Sequence, residues 1–351
     1  MSRKFYKRVS IGPHSTFSKS AAFRMLFFLL ALFPQIILLF ATKAYSSIAI
    51  IACAIAGALC SKMWNFLKRE KMFFSALYSI LTGTLIGFFL PAAYPPIAVF
   101  FITFIFMTSV NLFFGGQGVS WVNPVVFTVA AAWFMGHFNF PGFEIFGDDL
   151  LFKNPSLNLI QDSFAMNPID KKITEFLNDS IFGLFNVSIP EGYVSFFWDN
   201  LSQIPAFRFN VLTLLASVFL VAFDLEDGTV PLVYLLVYSL FVKFISPVMT
   251  GGVPLSGDLL LALLSSGTLF TAFFILQWDG TVPYTKQGKL LYAVCGGMFA
   301  FVFCGTGTSP IGSVMTILFL NLLTPLIEVF ESRRAKKKIA SLLTQEKINE
   351  R

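Results

Sequence analysis

Ten apolar stretches, separated by short polar connections and one long polar loop, constrain this chain more than any other feature of its sequence. Most of them approach the roughly 20 residues that an α-helix needs to cross the hydrocarbon core of a bilayer. They cover residues 21–41, 45–64, 72–90, 96–114, 123–138, 206–224, 230–249, 257–277, 288–304 and 311–330. Charged residues make up only 13% of the chain, against about 25% in soluble domains. The sequence therefore predicts an all-α polytopic membrane protein with about ten transmembrane helices.

The basic residues predict how these helices are oriented. If ten spans alternate in direction, 19 of the 25 lysines and arginines fall on the side of the N-terminus. Cytoplasmic connections carry such an excess, so both termini are predicted to be cytoplasmic and the protein to lie in the cytoplasmic (inner) membrane. The basic tail is interpreted as a short cytoplasmic helix that also contacts anionic lipid. Because the basic residues cluster at the ends of apolar spans, they do not indicate nucleic-acid binding.

The long connection, residues 139–205, falls on the outer side in this orientation. It carries nine carboxylates against three lysines, with aromatic residues among them. Two interpretations stay open: a small folded cap, or a solvated and partly ordered connection. From the N-terminus, the predicted organisation is a basic segment and first five-helix repeat (1–138), the acidic outer loop (139–205), a second five-helix repeat (206–330) and the basic tail (331–351).

A glycine-rich break between the fourth and fifth apolar stretches is the most distinctive local motif. It reads FFGGQGVSWVNPVVF over residues 113–127 and contains Gly115, Gly116 and Gly118 before Asn123. Glycine permits unusual backbone angles and close approach of a ligand, and Asn followed by Pro is a typical helix start. In a membrane, non-helical backbone persists only where protein or a water-filled cavity satisfies it. The break is therefore either a short connection or part of a binding site.

Related segments recur in the second half of the chain. The sequence LTGTL at 81–85 is echoed by SGTL at 266–269, and the glycine-rich break by CGTGTSPIG at 304–312. An odd number of spans per half requires that the second copy cross the membrane in the opposite sense. Inverted repeats with Gly/Pro-broken segments at matching positions usually enclose a central pathway. The predicted fold is two inverted five-helix repeats.

These segments resemble the NqrB/RnfD family, the membrane subunits of sodium-pumping NADH:quinone reductase and of the Rnf complex. The similar segments are LTGTLIGFFLPAAYPP (81–96), FGGQGVSWVNPVVF (114–127), WDGTVPYTKQGK (278–289) and SPIGSVMTILFLNLLTPLIE (309–328). The resemblance extends from about residue 70 onward and is closest to the RnfD branch. It implies ten spans in inverted halves, an FMN bound covalently on the outer side, and work within a larger complex.

The chain departs from the family where the covalent flavin is expected. The family attaches FMN through a phosphoester to a threonine in the outer loop, and the best counterpart here is DSFAMNP at 162–168. Asn167 or Met166 stands where the threonine is expected, and neither an amide nor a thioether can form the phosphoester. Covalent FMN is therefore not expected, which leaves a non-covalent FMN or riboflavin as the candidate cofactor.

The resemblance singles out Asp279 and Thr281 as candidate cofactor-binding residues, together with Gly115, Gly116, Gly118 and Asn123. An aspartate at a helix end is otherwise a solvated turn residue. Asp224, Glu226 and Asp227 form an acidic turn, which is interpreted as a solvated turn, with cation collection as the alternative. Asp258 is expected to cap its helix, and Lys243 to extend its amine toward the membrane surface.

Other chemistry has little support in the sequence. The four cysteines lie inside apolar stretches and form no CxxC pair, so they are interpreted as packed side chains rather than a disulfide or thiolate site. No metal site is predicted, and catalytic residues are not identified.

Two functions follow. The first is a subunit of an Rnf- or Nqr-type ion-translocating electron transport complex, coupling electron transfer to Na⁺ or H⁺ movement with other membrane and peripheral subunits. Such a chain is part of a translocase rather than an enzyme acting alone. The alternative is a diverged paralogue without redox function, acting as a small-solute channel or transporter.

Overall fold

A computed structural model describes most of the chain. The described residues are 20–63, 72–115, 120–141, 169–185, 188–189, 191–199, 202–249, 255, 257–305 and 309–349, with backbone alone at 72–73, 185 and 338–349. They form α-helices and short 3₁₀ turns, and no strand occurs among them. Gly116, Gly118 and Asn167 lie outside the described residues, so the predictions made for them stay predictions.

Every predicted apolar stretch is helical. The first half contains α1 (Ala21–Ala41), α2 (Tyr45–Ser61), α3 (Met72–Phe89), α4 (Pro96–Phe113) and α5 (Pro124–Gly136). The outer loop contributes α6 (Asp170–Ser180) and α7 (Tyr193–Trp198). The second half contains α8 (Asn210–Ala222), α9 (Thr229–Met249), α10 (Leu259–Ser265), α11 (Thr268–Phe274), α12 (Lys286–Cys304) and α13 (Gly312–Asn349).

Five of these helices are long and apolar enough to cross a membrane: α1, α4, α9, α12 and the first part of α13. Helices α2, α3 and α8 are apolar but shorter in their described parts. Large hydrophobic side chains are exposed along these helices, as expected for surfaces that face lipid. The protein is therefore a multi-pass membrane protein, while the number of ten spans stays a prediction.

The helices pack in the same pairs in both halves. In the first half α2 contacts α3 and α4, α4 contacts α5, and α1 contacts α3. In the second half α9 contacts α10, α11 and α12, α12 contacts α13, and α8 contacts α11. Helices α1 and α8 meet across the halves, and so do α5 and α13. This repetition supports the predicted repeat, and the opposite membrane sense of the halves remains a prediction.

The third and eighth stretches, which carry the LTGTL and SGTL segments, face each other at the seam between the halves. The ring of Phe270 on α11 lies 5.6 Å from Phe88 and 5.4 Å from Phe89 on α3. On its other side α3 packs closely on α2 at Gly83. A Cβ added to this glycine would lie only 2.6 Å from the Cα of Ile55. Small residues allow such close contacts between membrane helices.

The prediction of one continuous eighth span over 257–277 is wrong. The helix stops at Ser265 and restarts at Thr268, and Gly267 between them has φ +68°, a left-handed conformation that strongly favours glycine. The amide of Asn210 donates to the carbonyl of Leu264 at 2.8 Å. A broken membrane helix persists when neighbouring side chains satisfy its freed backbone groups. The corresponding segment of α3 has no break.

The described part of the outer loop contains α6 and α7, called the cap here; for the loop as a whole, both interpretations stay predictions. The buried carboxylate of Asp170, at the start of α6, accepts hydrogen bonds from the backbone N–H of Gly192 and from both the N–H and hydroxyl of Ser195. Arg208, just before α8, forms a buried ion pair with Asp199. The contacts of Asp170 hold α6 against the start of α7, and the ion pair joins the cap to the second half.

The boundary predicted between the second repeat and the tail has no structural counterpart. Helix α13 runs from Gly312 to Asn349 without interruption, so the basic tail continues the last apolar helix instead of forming a separate one.

Candidate functional site

The segments predicted to be cytoplasmic meet at one end of the bundle, called the inner end here. Arg24 near the start of α1 donates to Asp279, in the connection after α11, at 2.7 Å. Lys289 on α12 pairs with Asp227, in the turn after α8, at 3.6 Å. The first contact joins α1 to the second half, and the second joins two elements within that half.

A pocket and a wider cleft adjoin at the inner end. The inner pocket, about 80 Å³, lies between α1, α3 and the end of α11. Its apolar walls include Phe28, Phe74, Tyr78, Leu81 and Phe274. The inner cleft, about 820 Å³, continues from it toward α12. Five residues line both: Arg24, Glu226, Gln277, Trp278 and Asp279. The cleft has the size of a typical small-molecule site.

Aromatic rings form the wall of the inner pocket. The ring centroids of Tyr78 and Trp278 lie 6.0 Å apart in an edge-to-face arrangement, and those of Phe28 and Phe274 lie 6.1 Å apart. Behind Tyr78, the buried amine of Lys62 lies 5.2 Å from its ring centroid and donates to Asn111 at 2.8 Å. The aromatic wall of the pocket is thus supported from behind by a cation–π contact outside the pocket lining.

The chemistry of these side chains fits a flavin. A flavin ring needs flat apolar surfaces, donors for its carbonyl oxygens and charges that adjust its electronic properties. The ring of Trp278, which lines both cavities, supplies an aromatic surface, and the guanidinium of Arg24 is a donor whose charge Asp279 balances. The side chain of Gln277 donates to the carbonyl of Asp227 at 2.9 Å and accepts from its N–H at 3.3 Å. The inner cleft thus offers an aromatic surface and a charged donor to a non-covalent ligand.

Among the described residues that the sequence proposes for cofactor binding, Asp279 is the one that lines both cavities. It is not a free turn residue, because it pairs with Arg24; the two side chains are 45% and 31% exposed.

Asn123 and Thr281 lie against the same connection but are buried. The side-chain oxygen of Asn123 accepts from the N–H of Val125 at 3.0 Å, and its amide donates to the carbonyl of Ile275 at 3.2 Å. Thr281 donates to the carbonyl of Trp278, and its own carbonyl accepts from Thr324. Both residues fix the path of the chain that carries Asp279.

Gly115 has φ +103° and lies at the start of the connection after α4, which agrees with the break expected there. It lines neither the inner pocket nor the inner cleft. Its backbone conformation favours glycine, so its described role is in the turn.

The acidic turn after α8 differs from its interpretation as a solvated turn. Asp224 is exposed, but Glu226 is only 8% exposed and lines both cavities. Burial raises the pKa of the Glu226 carboxyl well above its ordinary value, with the charge of Asp279 acting in the same direction and that of Arg24 against it. Hydrogen bonds from Thr229 lower the pKa of Asp227. The sequence lacks a local signal for the burial of Glu226, because the covering residues come from α1 and from the connection after α11.

Two other expectations concern residues outside the inner end. Asp258 caps α10 by accepting from the N–H of Leu261 at 3.1 Å, as expected, and also accepts a hydrogen bond from Tyr193. Lys243 on α9 donates to the carbonyl of Gly257 at 3.3 Å. Cys53, Cys60, Cys295 and Cys304 are free thiols, consistent with their interpretation as packed side chains.

Comparison with known proteins defines the family. Residues 8–337 match the model of the NQR2, RnfD, RnfE family. The chain is 23% identical over 330 residues to the D subunit of the Na(+)-translocating ferredoxin:NAD(+) oxidoreductase complex of Acetobacterium woodii, covering 93% of this chain and 94% of that protein. It is 26% and 24% identical to the D subunits of the ion-translocating oxidoreductase complexes of Mannheimia succiniciproducens and Escherichia coli O7:K1, each alignment covering 93% of this chain and 97% of the relative. The chain belongs to the NQR2, RnfD, RnfE family, which confirms the resemblance.

Proposed function

We propose that this chain is the integral membrane subunit of RnfD type in an Rnf- or Nqr-type ion-translocating electron transport complex. Family membership over nearly the whole chain supports the assignment, as do relatives named as subunits of such complexes. Other membrane and peripheral subunits are its partners, and Na⁺ or H⁺ is the coupling ion. It lies in the cytoplasmic membrane with both termini on the cytoplasmic side, where the excess of basic residues places them.

The inner cleft is the proposed cofactor site, and its ligand is a non-covalent FMN or riboflavin. The observation that carries this proposal is the Arg24–Asp279 pair at the mouth of a pocket walled by Tyr78 and Trp278. The flavin supplies one- and two-electron chemistry when bound. Arg24 holds a positive charge at the site and donates hydrogen bonds, and the ring of Trp278 excludes water from one side.

Covalent attachment is proposed to be lost, because Asn167 stands near the expected threonine position. The denatured chain in a gel is then expected to show no flavin fluorescence under ultraviolet light. A fluorescent band would contradict this part of the proposal and would direct attention to another acceptor in the outer loop.

Flavin binding is tested on the purified chain by titrating riboflavin and FMN separately and following quenching of flavin fluorescence. Arg24→Met is expected to weaken binding about 10- to 100-fold, the loss of one charge-assisted hydrogen bond. Lys286→Met, which removes an exposed cation outside the inner pocket and inner cleft, is the matched control and leaves the affinity unchanged. No saturable binding of either flavin would refute the cofactor site.

Membership in a complex is tested separately by mild purification from native membranes. Co-purification with iron–sulfur and flavin subunits is the expected result. A chain that purifies alone and carries a small solute across liposomes without a redox partner would instead favour the transporter.

A further inference from the structure

Glu226 is a buried carboxylate at the inner end, and one of its oxygens has no hydrogen-bond partner among the described residues. Its side chain is 8% exposed, and its Oε2 atom has no hydrogen-bond partner in the described part of the protein. The residue lines the inner pocket and also the inner cleft, which opens to the protein surface at the end predicted to be cytoplasmic. A buried polar atom without a partner is costly, so this oxygen is expected to bind an occupant.

The neighbouring charges are already balanced without Glu226. Arg24 of α1 is paired with Asp279 of the connection after α11 at 2.7 Å. Lys289 of α12 is paired with Asp227 of the same turn as Glu226, at 3.6 Å. An ionised Glu226 would therefore add one uncompensated negative charge to a site whose two ion pairs are complete.

The other titratable groups around the carboxyl do not change this balance. Asp224, on the same turn, is exposed and faces the cleft from its rim. Tyr78, on α3, lines the pocket with its aromatic side chain. Because burying an isolated carboxylate is much more costly than burying the neutral acid, such groups bind a proton instead.

We propose that Glu226 is a proton-binding site that exchanges protons with the aqueous phase at the inner cleft while Arg24 remains paired with Asp279. A proton suits the site better than a metal cation. Cations such as Na⁺ require several oxygen ligands, whereas the pocket offers one free carboxylate oxygen between largely apolar walls.

The position of Glu226 beside the inner cleft suggests a role for its proton. This role rests on the proposed function. A like charge within about 4–6 Å raises the proton affinity of a carboxylate by about 10- to 1,000-fold. Negative charge that enters the inner cleft would therefore favour proton uptake at Glu226, and its departure would favour release. In this way Glu226 links the charge of the cleft to protons from the inner aqueous phase.

The proton on Glu226 can be observed directly in the flavin-free chain by infrared spectroscopy, through the carbonyl stretch of a protonated carboxyl group. We expect such a band in the wild type at neutral pH, lost on titration to alkaline pH and absent from Glu226→Gln. Asp224→Asn is the matched control: it removes an exposed carboxylate of the same turn, and at its φ of +49° Asn is well tolerated. This control keeps the band.

Two further variants test whether the band belongs to this cluster even if Glu226→Gln fails to fold. Arg24→Met removes a cation, so the band is expected to persist to higher pH, by about one pH unit or more. Asp279→Asn removes a negative charge and shifts the loss of the band to lower pH.

A band that is unchanged in Glu226→Gln, or its absence from the wild type at neutral pH, would overturn the proposal. Displacement of the band by added NaCl, with no such effect from choline chloride, would also overturn it by showing that the site takes sodium. Because no flavin is present, these outcomes are independent of the flavin-binding test.

Discussion

Replacing Arg208 with methionine tests whether the outer cap is held to the second half by a buried ion pair. The guanidinium donates to the two carboxylate oxygens of Asp199 at 3.0 and 2.9 Å, and both side chains are less than 10% exposed. It also lies 3.4 Å from the hydroxyl of Thr42 at the end of α1. Removing one member of such a pair costs about 3–5 kcal/mol, because the remaining charge stays buried.

The measurement is thermal unfolding of the purified protein in detergent, followed by the loss of native absorbance and fluorescence signals. A loss of about 3–5 kcal/mol corresponds to a midpoint lower by roughly 10 °C. Lys171→Met is the matched control, since Lys171 and Glu191 form a pair in the same loop at 4.0 Å that is 67% and 50% exposed. Exposed pairs contribute less than about 1 kcal/mol.

The double variant Asp199→Asn/Arg208→Met separates the ion pair from other effects of the substitution. It buries no uncompensated charge, so it is expected to be more stable than Arg208→Met by at least about 1 kcal/mol. A midpoint of Arg208→Met within about 2 °C of the wild type would refute the reasoning. So would a double variant as unstable as the single one.

Three further predictions concern the inner end and the broken helix. Arg24→Met is expected to change the free energy of unfolding by less than about 1 kcal/mol, because its pair with Asp279 is partly exposed; thermal unfolding without flavin measures this. Asp227 has a lowered pKa in the native state. Its ionised carboxylate therefore stabilises the protein above the unfolded-state pKa, and this contribution is lost as the pH falls through the native-state pKa. Between about pH 5 and pH 3, the unfolding midpoint of Asp227→Asn should therefore fall less than that of the wild type. Gly267→Ala is expected to lower the free energy of unfolding by about 1–3 kcal/mol, measured by thermal unfolding. The added Cβ would overlap the ring of Phe207, and the backbone there has a positive φ that alanine disfavours. Adding Phe207→Leu should relieve the overlap with the ring but not the cost of the positive φ.

The sequence predicted the helices because their signal is local. An apolar stretch in a bilayer must satisfy its backbone groups internally, so the length of the stretch sets the length of the helix. The predicted first stretch, 21–41, has the bounds of α1, and the turns after α4 and α12 occur where glycine interrupts the apolar pattern. The resemblance to a family added the order of these segments, which the family match confirms.

The broken eighth helix and the buried Glu226 were missed because distant residues determine both. Composition cannot distinguish a continuous apolar helix from one interrupted at Gly267, and the break is supported by Asn210, more than 50 residues earlier in the chain. Likewise, an acidic turn is ordinarily solvated, and only the packing of α1 and the connection after α11 covers Glu226. Such effects depend on tertiary contacts, which a single sequence does not display.

The contacts of the candidate residues show which part of the protein the family motifs build. Asn123 and Thr281 use their hydrogen bonds on the backbone around residues 275–281, and so hold Asp279 in place beside Arg24. None of these contacts involves the described part of the outer loop. The motifs that identify the family therefore build the inner end, whereas the covalent flavin that the resemblance implies depends on a threonine in the outer loop. The proposed loss of covalent attachment therefore requires no change in the ion pair of the inner cleft or in the proposed proton site on Glu226.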